Sequence, residues 1–436
     1  MNRQIKVHGS ETADIVVIGG GMVGLCQALL LARQLPTTQI VLLEAHRFES
    51  QANAEVQSSF DARSTAVSAA SVDILSLLDI WSSVETHAEA IRRVHVSDRG
   101  HVGTTAYSEA DNQHKALGYV VENRWFGQQL MCAAQAADNI DILAPAQVSE
   151  VLPLSGRVRI QYALGETDTV QSLEAGLVII ADGAESPLRR QLGVATDVHD
   201  YQQCAVIANL EFELPHCGQA FERFTEEGPL ALLPLPSVVP AESSKRVALV
   251  WTRPNSHVNE TLALDNEAFT AAIQQSFGYR MGRCLRVGAR HHYPLKMMLA
   301  REQVRSQLAF VGNAAHFLHP VAGQGFNLAL RDCAQLTAVL GDAFEQKQPL
   351  GALAVLNRYI ALQENDQSTT RFISHNFIRV FANQHLFMQA GRNVGLLGLG
   401  LSNTVKKAFF AQMMGRSLPL ARLSRARVGK SEARTI

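Results

Sequence analysis

The sequence lacks the marks of a disulfide-stabilised protein, a zinc site or a nucleic-acid-binding surface. Its six cysteines are scattered without a CxxC pair, a pattern typical of free thiols in a reducing cytosol. Lysine and arginine number 39 against 40 aspartates and glutamates, so the net charge of −1 gives no global positive field to attract phosphates. The 436 residues, 47% hydrophobic and 18% charged, predict an ordered globular protein of two or three subdomains.

Long uncharged runs are also scarce. Residues 15–32 carry no charge, and this length approaches that of a membrane span. The run contains three consecutive glycines, 19–21, which would be a poor centre for a spanning helix. Residues 1–14 hold both signs of charge, and no small-residue cleavage site follows them, which argues against a signal peptide. We therefore interpret the run as strand, turn and helix of a cytoplasmic protein.

The same run carries a dinucleotide-binding motif. Residues 14–18 (DIVVI) predict a buried strand, and Gly19, Gly21 and Gly24 match G-x-G-x-x-G before an apolar helix. The first glycine would make the turn, the second would let a pyrophosphate touch the backbone, and the third would allow the helix to pack on the strand. A second predicted strand, 40–43, is followed by Glu44, which would accept hydrogen bonds from ribose hydroxyls. The alternative is an ordinary glycine-rich turn.

Two polar loops are further candidates for ligand contact. Arg63 lies in the predicted loop 61–66, where it is either a surface arginine or a cofactor contact. Asp182 and Gly183 directly follow a predicted strand, which is a usual place for a ligand-facing loop. A solvent turn with Ser186 as N-cap of a short helix accounts for the second loop equally well.

The stretch 312–332, GNAAHFLHPVAGQGFNLALRD, joins a predicted strand at 308–311 to a predicted helix beginning near 326. Pro320, Gly323 and Gly325 would let the backbone turn sharply and approach a flat ligand closely. Backbone N–H groups at the helix start would be free to point at an electron-rich ligand edge.

The middle and the end of the chain differ from this α/β pattern. Short alternating strands over 201–254 predict an antiparallel sheet laid over a helix at 266–277. Beyond residue 350 the sequence predicts helices at 350–365, 370–391 and 394–414. Residues 401–436 hold eight lysines and arginines against one acid, Glu432. This tail fits attachment to an anionic membrane or a partner, and it equally fits a solvated, partly disordered end.

The three glycine-containing segments resemble a known family when they are read together. GGGMVG with Glu44, ADGAESPLR at 181–189 and VGNAAHFLHPVAGQGFNLALRD at 311–332 resemble the three fingerprints of the flavoprotein aromatic hydroxylases of the para-hydroxybenzoate hydroxylase class. The resemblance covers roughly residues 12–380. DARSTAVS and the VEN triplet at 121–123 are similar to its ubiquinone-biosynthesis hydroxylases, and VHVSDRGH, FERFTEEGPLALLP and SFGYRMG are most similar to the 2-octaprenyl-6-methoxyphenol hydroxylase branch.

The resemblance implies a fold and its domain boundaries. We expect an α/β fold with a Rossmann-like FAD-binding domain of the glutathione-reductase/para-hydroxybenzoate hydroxylase type, an inserted antiparallel-sheet substrate domain and a helical C-terminus. The FAD-binding domain would comprise 1–92, 114–200 and 300–365. The substrate domain would comprise 93–113 and 201–299, and the helical region with the basic tail 366–436.

The resemblance also implies roles for individual residues. Asn123 falls where many relatives have an arginine near the pyrophosphate, and residues 320–327 would line the isoalloxazine ring. The catalytic face would consist of His316, Pro320, Gly323 and Gly325. The residues expected to bind FAD are Gly19, Gly21, Met22, Gly24, Glu44, Arg63, Asn123, Asp182, Gly183, Gly312, Asn313, Gly325, Phe326 and Asn327.

One position departs from the family pattern. The third fingerprint usually reads Gly-Asp, and this chain has Gly312-Asn313. The family aspartate accepts a hydrogen bond from a ribityl hydroxyl. Asparagine keeps a carbonyl acceptor without the charge, and charge-assisted hydrogen bonds are roughly twice as strong as neutral ones. We expect FAD to bind with an affinity lowered several-fold, which corresponds to about 1 kcal/mol.

The implied activity is a monooxygenase reaction in ubiquinone biosynthesis. Reduced flavin and O2 would give a C4a-hydroperoxyflavin that hydroxylates the ring of a polyprenyl phenol, 2-polyprenyl-6-methoxyphenol. A second G-x-G-x-x-G is absent, so electrons would come from transiently bound NAD(P)H or from a partner protein. Other ubiquinone-biosynthesis proteins and the surface of the inner membrane are expected partners, and nucleic acid is not.

Several alternatives share parts of this pattern. Another ring hydroxylase of the same pathway or a non-catalytic, FAD-stabilised scaffold would fit the same fingerprints. A prenyl-chain reductase would use the flavin without O2, whereas a flavin halogenase would need a W-x-W-x-I-P segment that the sequence lacks. His316 and His319 suggest a metal pair, but no Cys, Asp or Glu ligand set accompanies them. We expect no metal site and a loop or flavin-environment role for both histidines.

Overall fold

The computed structural model describes residues 12–47, 64–99, 104–108, 116–165, 169–237, 243–318, 323–382, 410–416, 421 and 423, with only the backbone for 375–382. In chain order, the first elements are β1 Thr12–Ile18, α1 Met22–Gln34, β2 Ile40–Leu43, β3 Ser64–Ser68, α2 Ala69–Leu77, α3 Trp81–Val84, β4 Ala88–Ile91, β5 Arg93–Asp98, β6 Thr104–Ser108, β7 Gly118–Glu122 and α4 Asn123–Ala136.

The central part of the chain is richer in strands. It contains β8 Ile140–Leu143, β9 Ala146–Pro153, β10 Val158–Leu164, β11 Val170–Ile180, α5 Pro187–Gln191, β12 Thr196–Phe212, β13 Gln219–Thr225, β14 Gly228–Pro234, β15 Arg246–Pro254, α6 Asn255–Ala263 and α7 Asn266–Phe277. The remaining elements are β16 Cys284–Val287, β17 His291–Ala300, β18 Val304–Arg305, β19 Leu308–Phe310, β20 His316–Phe317, α8 Gln324–Glu345 and α9 Leu353–Ala382.

The first sheet has the order β18-β19-β11-β1-β2-β8, with β10 and β9 continuing from β11. The strands β19, β11, β1, β2 and β8 run parallel to one another, as expected for β-branched runs that are buried on both faces. Ile15 and Val17 of β1 pack in the core with α1, α4 and α8, whereas Val16 and Ile18 pack toward β9 and β10. The sheet therefore lies between a helical layer and a β layer.

The second sheet has nine strands in the order β20-β17-β12-β15-β14-β13-β5-β6, with β16 paired to β12. It draws its strands from 93–108, 196–300 and 316–317, so β20 crosses into it from the segment expected to bind FAD. One face packs on α7, where Phe221 and Phe212 meet Phe277 edge to face and Trp251 meets Phe269. The other face is turned toward the start of α8.

A third sheet, β3-β7-β4, was not expected from the sequence. The prediction of a loop over 61–66 is wrong for Ser64, Thr65 and Ala66, which belong to β3 and pair antiparallel with β7. The strand forms because its partner, Gly118–Glu122, comes from a distant part of the chain, and such nonlocal pairing leaves little signal in a short polar segment.

The helix α9 runs without interruption from Leu353 to Ala382, so the predicted break between 365 and 370 is wrong. Two polar residues between the predicted helices are buried by tertiary contacts: Asp366 accepts from the guanidinium of Arg331, and Gln367 donates to Asp332. The predicted helix at 394–414 lies mostly outside the described residues, which show a helical turn at 410–413. Within the described part of the chain, no helix has the length and apolar character needed to cross a membrane.

Candidate active site

The turn between β1 and α1 is built by glycines that serve two purposes. A Cβ on Gly24 would lie 1.9 Å from the carbonyl oxygen of Gly19, and a Cβ on Gly19 would lie 2.5 Å from that of Ala181. These two glycines therefore allow the chain to pack on itself. A Cβ on Gly21 would meet no described atom within 4 Å, so the turn is open there. This open side fits the close approach of a pyrophosphate to the backbone.

The start of α1 is available to an anion. Gly21 is its N-cap and offers no side-chain acceptor to the first N–H groups, and Met22 is the first helical residue. These N–H groups and the helix dipole favour a negatively charged group at this position.

Glu44 lies beside this turn. Its Oε2 accepts from the backbone N–H of Gly20 at 2.5 Å, and its Oε1 accepts from that of His46 at 2.8 Å. The two hydrogen bonds hold the carboxylate next to the glycine turn. His46 Nδ1 also lies 3.0 Å from Oε1, so Oε2 is the oxygen that keeps a lone pair for a ribose hydroxyl. The structure thus brings Glu44 to Gly19, Gly21 and Gly24 as the sequence motif requires.

The second and third fingerprints are joined by Arg189, which sequence reasoning did not single out. Its guanidinium is buried and donates to the carbonyl oxygens of Ala314 at 2.9 Å and Ala184 at 2.8 Å. Burial lowers the pKa of Arg189, and the nearby Asp182 carboxylate opposes that effect. A buried arginine with two carbonyl acceptors is a structural clamp between the loops.

The loop at Asp182 combines both interpretations that the sequence left open. Ser186 is the N-cap of α5, and its hydroxyl also donates to Asp182 Oδ2 at 2.8 Å. The Oδ1 atom is buried and has no hydrogen-bond partner among the described residues, and burial raises the pKa of Asp182. Gly183 follows with φ of 95°, a conformation that favours glycine. An unpartnered carboxylate oxygen at this position fits a hydroxyl donor of a bound cofactor.

The loop before α8 packs against β3. Gly323 is the N-cap of α8 in the left-handed region at φ of 61°, and a Cβ on it would lie 3.0 Å from the Cβ of Ala66. A Cβ on Gly325 would meet no described atom within 4 Å, which leaves the helix start open to a flat ligand. Phe326 packs edge to face on Phe126 of α4, with ring centroids 5.4 Å apart.

Asn327 connects the elements around this loop. Its Oδ1 accepts from Ser68 N and Ser71 Oγ, both at 2.8 Å. Its Nδ2 donates to the carbonyl oxygens of Ala66 and Gly323 at 2.8 and 2.7 Å. Since all of these partners belong to the protein, the side chain holds β3, α2 and α8 together. We propose this supporting role in place of the expected direct contact with FAD.

Three further expected residues lie around the same space. Gly312, at φ of 60°, packs against Val23 of α1, and the adjacent Asn313 is exposed in the cavity described below. Asn123 begins α4, and its Oδ1 accepts from Thr65 Oγ1 at 2.6 Å. Arg63 and Pro320 lie outside the described residues.

His316 is placed differently from Gly323 and Gly325, the other described residues of the expected catalytic face. Its imidazole is buried, pairs with Asp332 through Nε2 and does not line the cavity. Asp332 also accepts from Gln363 and Gln367 of α9, so a polar cluster fixes the end of the loop. We propose that His316 positions the loop and does not meet substrate. No cluster of three or more His, Cys, Asp or Glu that could hold a metal ion is found in the described ranges.

A cavity of about 390 Å³ lies between the start of α8 and the free face of the nine-stranded sheet. Gly323, Gly325 and Asn313 line one side. Eleven further lining residues are apolar and come from β5, β13, β14, β15 and the 410–416 segment: Val94, Val96, Ala220, Phe221, Pro229, Ala231, Leu233, Val250, Phe410, Met413 and Met414. The cavity therefore joins the open helix start to an apolar chamber.

The 410–416 segment closes one end of this cavity. The ring of Phe410 stacks on Tyr107, with centroids 4.0 Å apart, and the carbonyl oxygen of Met414 accepts from Ala70 N. Gln324 donates to the carbonyl oxygen of Met413, and Arg416 pairs with Asp73 at 2.6 Å. Sequence reasoning predicted a helix here but gave no signal that it would line the site.

Comparisons with known proteins agree with this geometry. A sequence profile of the FAD binding domain family matches residues 12–352. Ubiquinone hydroxylase UbiL of Rhodospirillum rubrum is 32% identical over 406 residues, covering 93% of this chain and 90% of that protein. The 3-demethoxyubiquinol 3-hydroxylase of Escherichia coli is 29% identical over 420 residues, covering 93% and 99%.

The fold is also shared with a solved structure. The crystal structure of p-nitrophenol 4-monooxygenase PnpA from Pseudomonas putida DLL-E4 matches with a TM-score of 0.74 at 17% sequence identity, covering 94% of this chain and all of that one. The expected fold class, the FAD cofactor and the monooxygenase class are thereby confirmed. The open glycine turn, the Glu44 carboxylate and the free start of α8 are the features into which FAD fits. This chain belongs to the FAD-dependent hydroxylases of ubiquinone biosynthesis.

Proposed function

We propose that the protein hydroxylates the aromatic ring of 2-polyprenyl-6-methoxyphenol. The observation that carries this proposal is the apolar cavity between the start of α8 and the nine-stranded sheet. A phenol with an apolar substituent matches a chamber lined mainly by aliphatic and aromatic side chains. The names of the relatives, a ubiquinone hydroxylase and a demethoxyubiquinol hydroxylase, support the same substrate class.

The residues around the cavity have complementary tasks. FAD, when bound, supplies the two-electron chemistry that activates O2. The N–H groups at the start of the 22-residue helix α8 would stabilise negative charge at the adjacent ring, because Gly323 offers them no side-chain partner. The apolar walls and the 410–416 segment would keep water away from the reacting atoms.

We propose that the cofactor is bound by the residues expected from the three fingerprints other than Asn327, with Arg63 and Pro320 included on sequence grounds. In the same view, 93–113 and 201–299 form the substrate domain and 1–92, 114–200 and 300–365 the FAD-binding domain. Residues 366–436 form the helical C-terminal region. Electrons would reach FAD from NAD(P)H bound transiently, or from a partner protein of the same pathway.

The position at which the aromatic ring is hydroxylated has an alternative. The Escherichia coli relative named 3-demethoxyubiquinol 3-hydroxylase favours a different position on the ring as the alternative. A strain that lacks this protein would accumulate 2-polyprenyl-6-methoxyphenol under our proposal and a later, demethoxylated quinol under the alternative. Mass spectrometry of the lipid extract separates the two outcomes, and unchanged ubiquinone with no precursor would overturn both.

A reaction with the purified protein tests catalysis directly. The holoprotein, NADPH and a short-chain 2-prenyl-6-methoxyphenol are incubated under ¹⁸O2, and O2 uptake and product mass are measured. We expect substrate-dependent O2 uptake with one ¹⁸O atom in the ring. If NADPH supports no uptake, dithionite-reduced holoprotein is mixed with ¹⁸O2, which removes the need for a natural donor. Absence of product in that single turnover would favour the alternative that the protein is a non-catalytic, FAD-stabilised scaffold.

We further propose peripheral contact with an anionic membrane through the basic tail. Eight lysines and arginines against one glutamate in residues 401–436 would add about 1 kcal/mol of attraction per basic residue near an anionic surface. Sedimentation with vesicles containing 30% phosphatidylglycerol should capture the protein at low salt and lose it at 0.5 M NaCl. Equal capture by neutral vesicles would contradict an electrostatic contact.

A further inference from the structure

Glu222 lies on the free face of the nine-stranded sheet. In the register of the sheet it is opposite Val96 of β5 and Ala231 of β14, and Ala231 is opposite Val250 of β15. All four residues line the cavity. Paired residues share one face of a sheet, so the Glu222 carboxylate stands in a row of three aliphatic side chains.

Its neighbours in β13 confirm which face this is. Phe221 packs on Phe277 of α7, and Arg223 donates to the carbonyl oxygen of Ser276 at 3.0 Å. Both contacts are on the helix side of the sheet. Since side chains alternate along a strand, Glu222 points to the opposite side, which is the side of the cavity.

Glu222 is the one ionisable side chain among the described residues that line the cavity. The lining residues from β3, β5, β7, β14, β15, the start of α8 and the 410–416 segment are apolar or neutral and polar. Two charged residues close in sequence to lining residues are directed elsewhere: Arg223, next to Glu222, bonds α7, and Arg416, two residues after Met414, pairs with Asp73. Burial raises the pKa of Glu222 to about 7, and no basic side chain among the described residues opposes this shift.

We propose that Glu222 is the catalytic base that removes the phenolic proton of the substrate. This inference rests on the proposed function, since it assumes a phenol in the cavity. The residue stands where an aromatic ring between α8 and the sheet would place its hydroxyl group within reach of a carboxylate. The remainder of the described lining offers no other side chain that can accept and keep a proton near neutral pH.

The proton transfer balances within the protein and the substrate. The phenolic O–H bond breaks, its electron pair stays on the oxygen, and the proton forms an O–H bond with a carboxylate oxygen of Glu222. The phenolate ring is more electron-rich and therefore more reactive toward oxygen insertion. After oxygen insertion, the carbon-bound proton passes to the atom of O2 that is not inserted, which leaves as water, and the C–H electron pair restores the aromatic ring. The phenolate oxygen then recovers its proton from Glu222, and the carboxylate is regenerated.

The first test observes ionisation of the bound phenol without turnover. Oxidised holoprotein is mixed with short-chain 2-prenyl-6-methoxyphenol, and the ultraviolet difference spectrum is followed between pH 6 and 11. If Glu222 stands next to the phenolic hydroxyl, its carboxylate, ionised above pH 7, opposes a second negative charge on the phenol. We therefore expect the bound phenol to ionise at a higher pH in wild type than in Glu222→Gln, whose midpoint should lie near that of the free phenol, about 10 by analogy with tyrosine.

The second test follows turnover. In wild type the hydroxylation rate should rise with pH through about 7, because the base must be unprotonated. Glu222→Gln should lower the rate at pH 7.5 by about 100-fold, the lower end of the usual contribution of general-base catalysis, and should recover toward pH 10. Glu260→Gln, the same charge change on the exposed side of α6, is the matched control and should behave as wild type.

Three results decide the matter. A lowered ionisation midpoint of the bound phenol together with a lowered hydroxylation rate in Glu222→Gln, with FAD content retained and Tm not lowered, supports the proposal. An unchanged ionisation midpoint and pH profile in Glu222→Gln, with an active wild type, overturns the role of Glu222 and leaves the proposed function intact. A wild type that neither binds nor hydroxylates the phenol overturns the proposed function, and the role of Glu222 with it.

Discussion

Two single residues determine the charge of the cavity lining. Asn313 and Glu222 both reach it, the first beside the glycine loop and the second on the sheet. Asn313 is neutral where the family usually has an aspartate, and Glu222 carries a carboxyl in an apolar row. Exchange of either side chain changes one charge and little volume, so the two sites are suited to conservative tests.

Replacement of Asn313 by aspartate should tighten FAD binding. A charged acceptor strengthens a hydrogen bond from a ribityl hydroxyl, and a gain of about 1 kcal/mol lowers Kd roughly five-fold. Fluorescence titration of FAD into the apoprotein measures the change. Asn365→Asp, on the exposed side of α9, adds the same charge away from the site and should leave Kd unaltered. An equal Kd for wild type and Asn313→Asp would contradict this prediction.

The pKa of Glu222 also predicts a pH-dependent stability. Its value rises from 4.5 to about 7 on burial, so the folded protein holds the proton more tightly than the unfolded chain. Below pH 4.5 both states are protonated and the residue has no net effect. Between 4.5 and 7 the carboxyl progressively destabilises the fold, by roughly 1–3 kcal/mol above pH 7. Glu222→Gln removes this penalty.

Thermal unfolding at two pH values tests whether ionisation of Glu222 destabilises the folded protein. The Tm of Glu222→Gln should exceed that of wild type at pH 8, and the two should agree at pH 4.5. Glu260→Gln should show no such divergence. A Tm difference that does not change with pH would mean that the carboxyl ionises as freely in the folded protein as in the unfolded chain.

At the scale of elements, the starts of α1 and α8 both border the proposed FAD site, and each contains glycine. Glycines in helices differ in how much space an added Cβ would have. A Cβ on Gly24 would overlap the backbone of the β1–α1 turn, whereas one on Gly127 in α4 would meet no described atom within 4 Å.

Gly24→Ala should therefore displace α1 from β1. Because an added Cβ would lie 1.9 Å from Gly19 O, we expect at least about 3 kcal/mol of destabilisation, or loss of FAD binding of at least 100-fold. Gly127→Ala is the matched control and should raise stability by up to about 1 kcal/mol, since alanine is the better helix former. Urea unfolding and FAD titration measure both variants. Equal behaviour of the two alanines would contradict the close packing at Gly24.

The sequence predicted the local parts of the site better than the assembled ones. Gly19, Gly24 and Glu44 were recognised because a strand, a turn and a helix follow one another within a short segment. The helix start at Gly325 was recognised for the same reason. Local patterns of this kind reflect geometry that neighbouring residues impose on one another.

The features that the sequence did not reveal depend on contacts between segments that are far apart in the chain. The strand β3 exists because it pairs with β7, and Asn327 is occupied by partners in β3 and α2. The cavity-facing position of Glu222 was available as a signal, since Glu222 alternates with Phe221 and Arg223 and shares its face of the strand with Ala220. Its meaning required the register with β5 and β14, which no local pattern contains.

At the scale of the whole molecule, the end of the chain completes a site built mostly by its earlier parts. Phe410 and Arg416 fix the 410–416 segment to Tyr107 and Asp73. The double variant Phe410→Ala/Arg416→Ala should loosen this closure and admit water. We expect the fraction of NADPH oxidation that yields H2O2 instead of hydroxylated product to rise several-fold. The Kd for FAD should be unaltered.

Peroxide and product are measured together in the same assay. Arg358→Ala on α9 removes an exposed arginine that bonds Gln348, far from the closure, and serves as control. If the double variant couples NADPH to hydroxylation as tightly as this control, the segment does not shield the site.

The alternation along β13, β14 and β15 has a consequence for how the enzyme can change. On these strands one set of residues packs on α7, as Leu232 and Trp251 do, and the intervening set faces the cavity, as Ala231 and Val250 do. Stability and selectivity are thus encoded in separate residues of the same strands. Single substitutions among the cavity-facing residues can therefore change substrate preference. The residues that pack on α7 and the glycine turns meanwhile preserve the folded, flavin-binding protein.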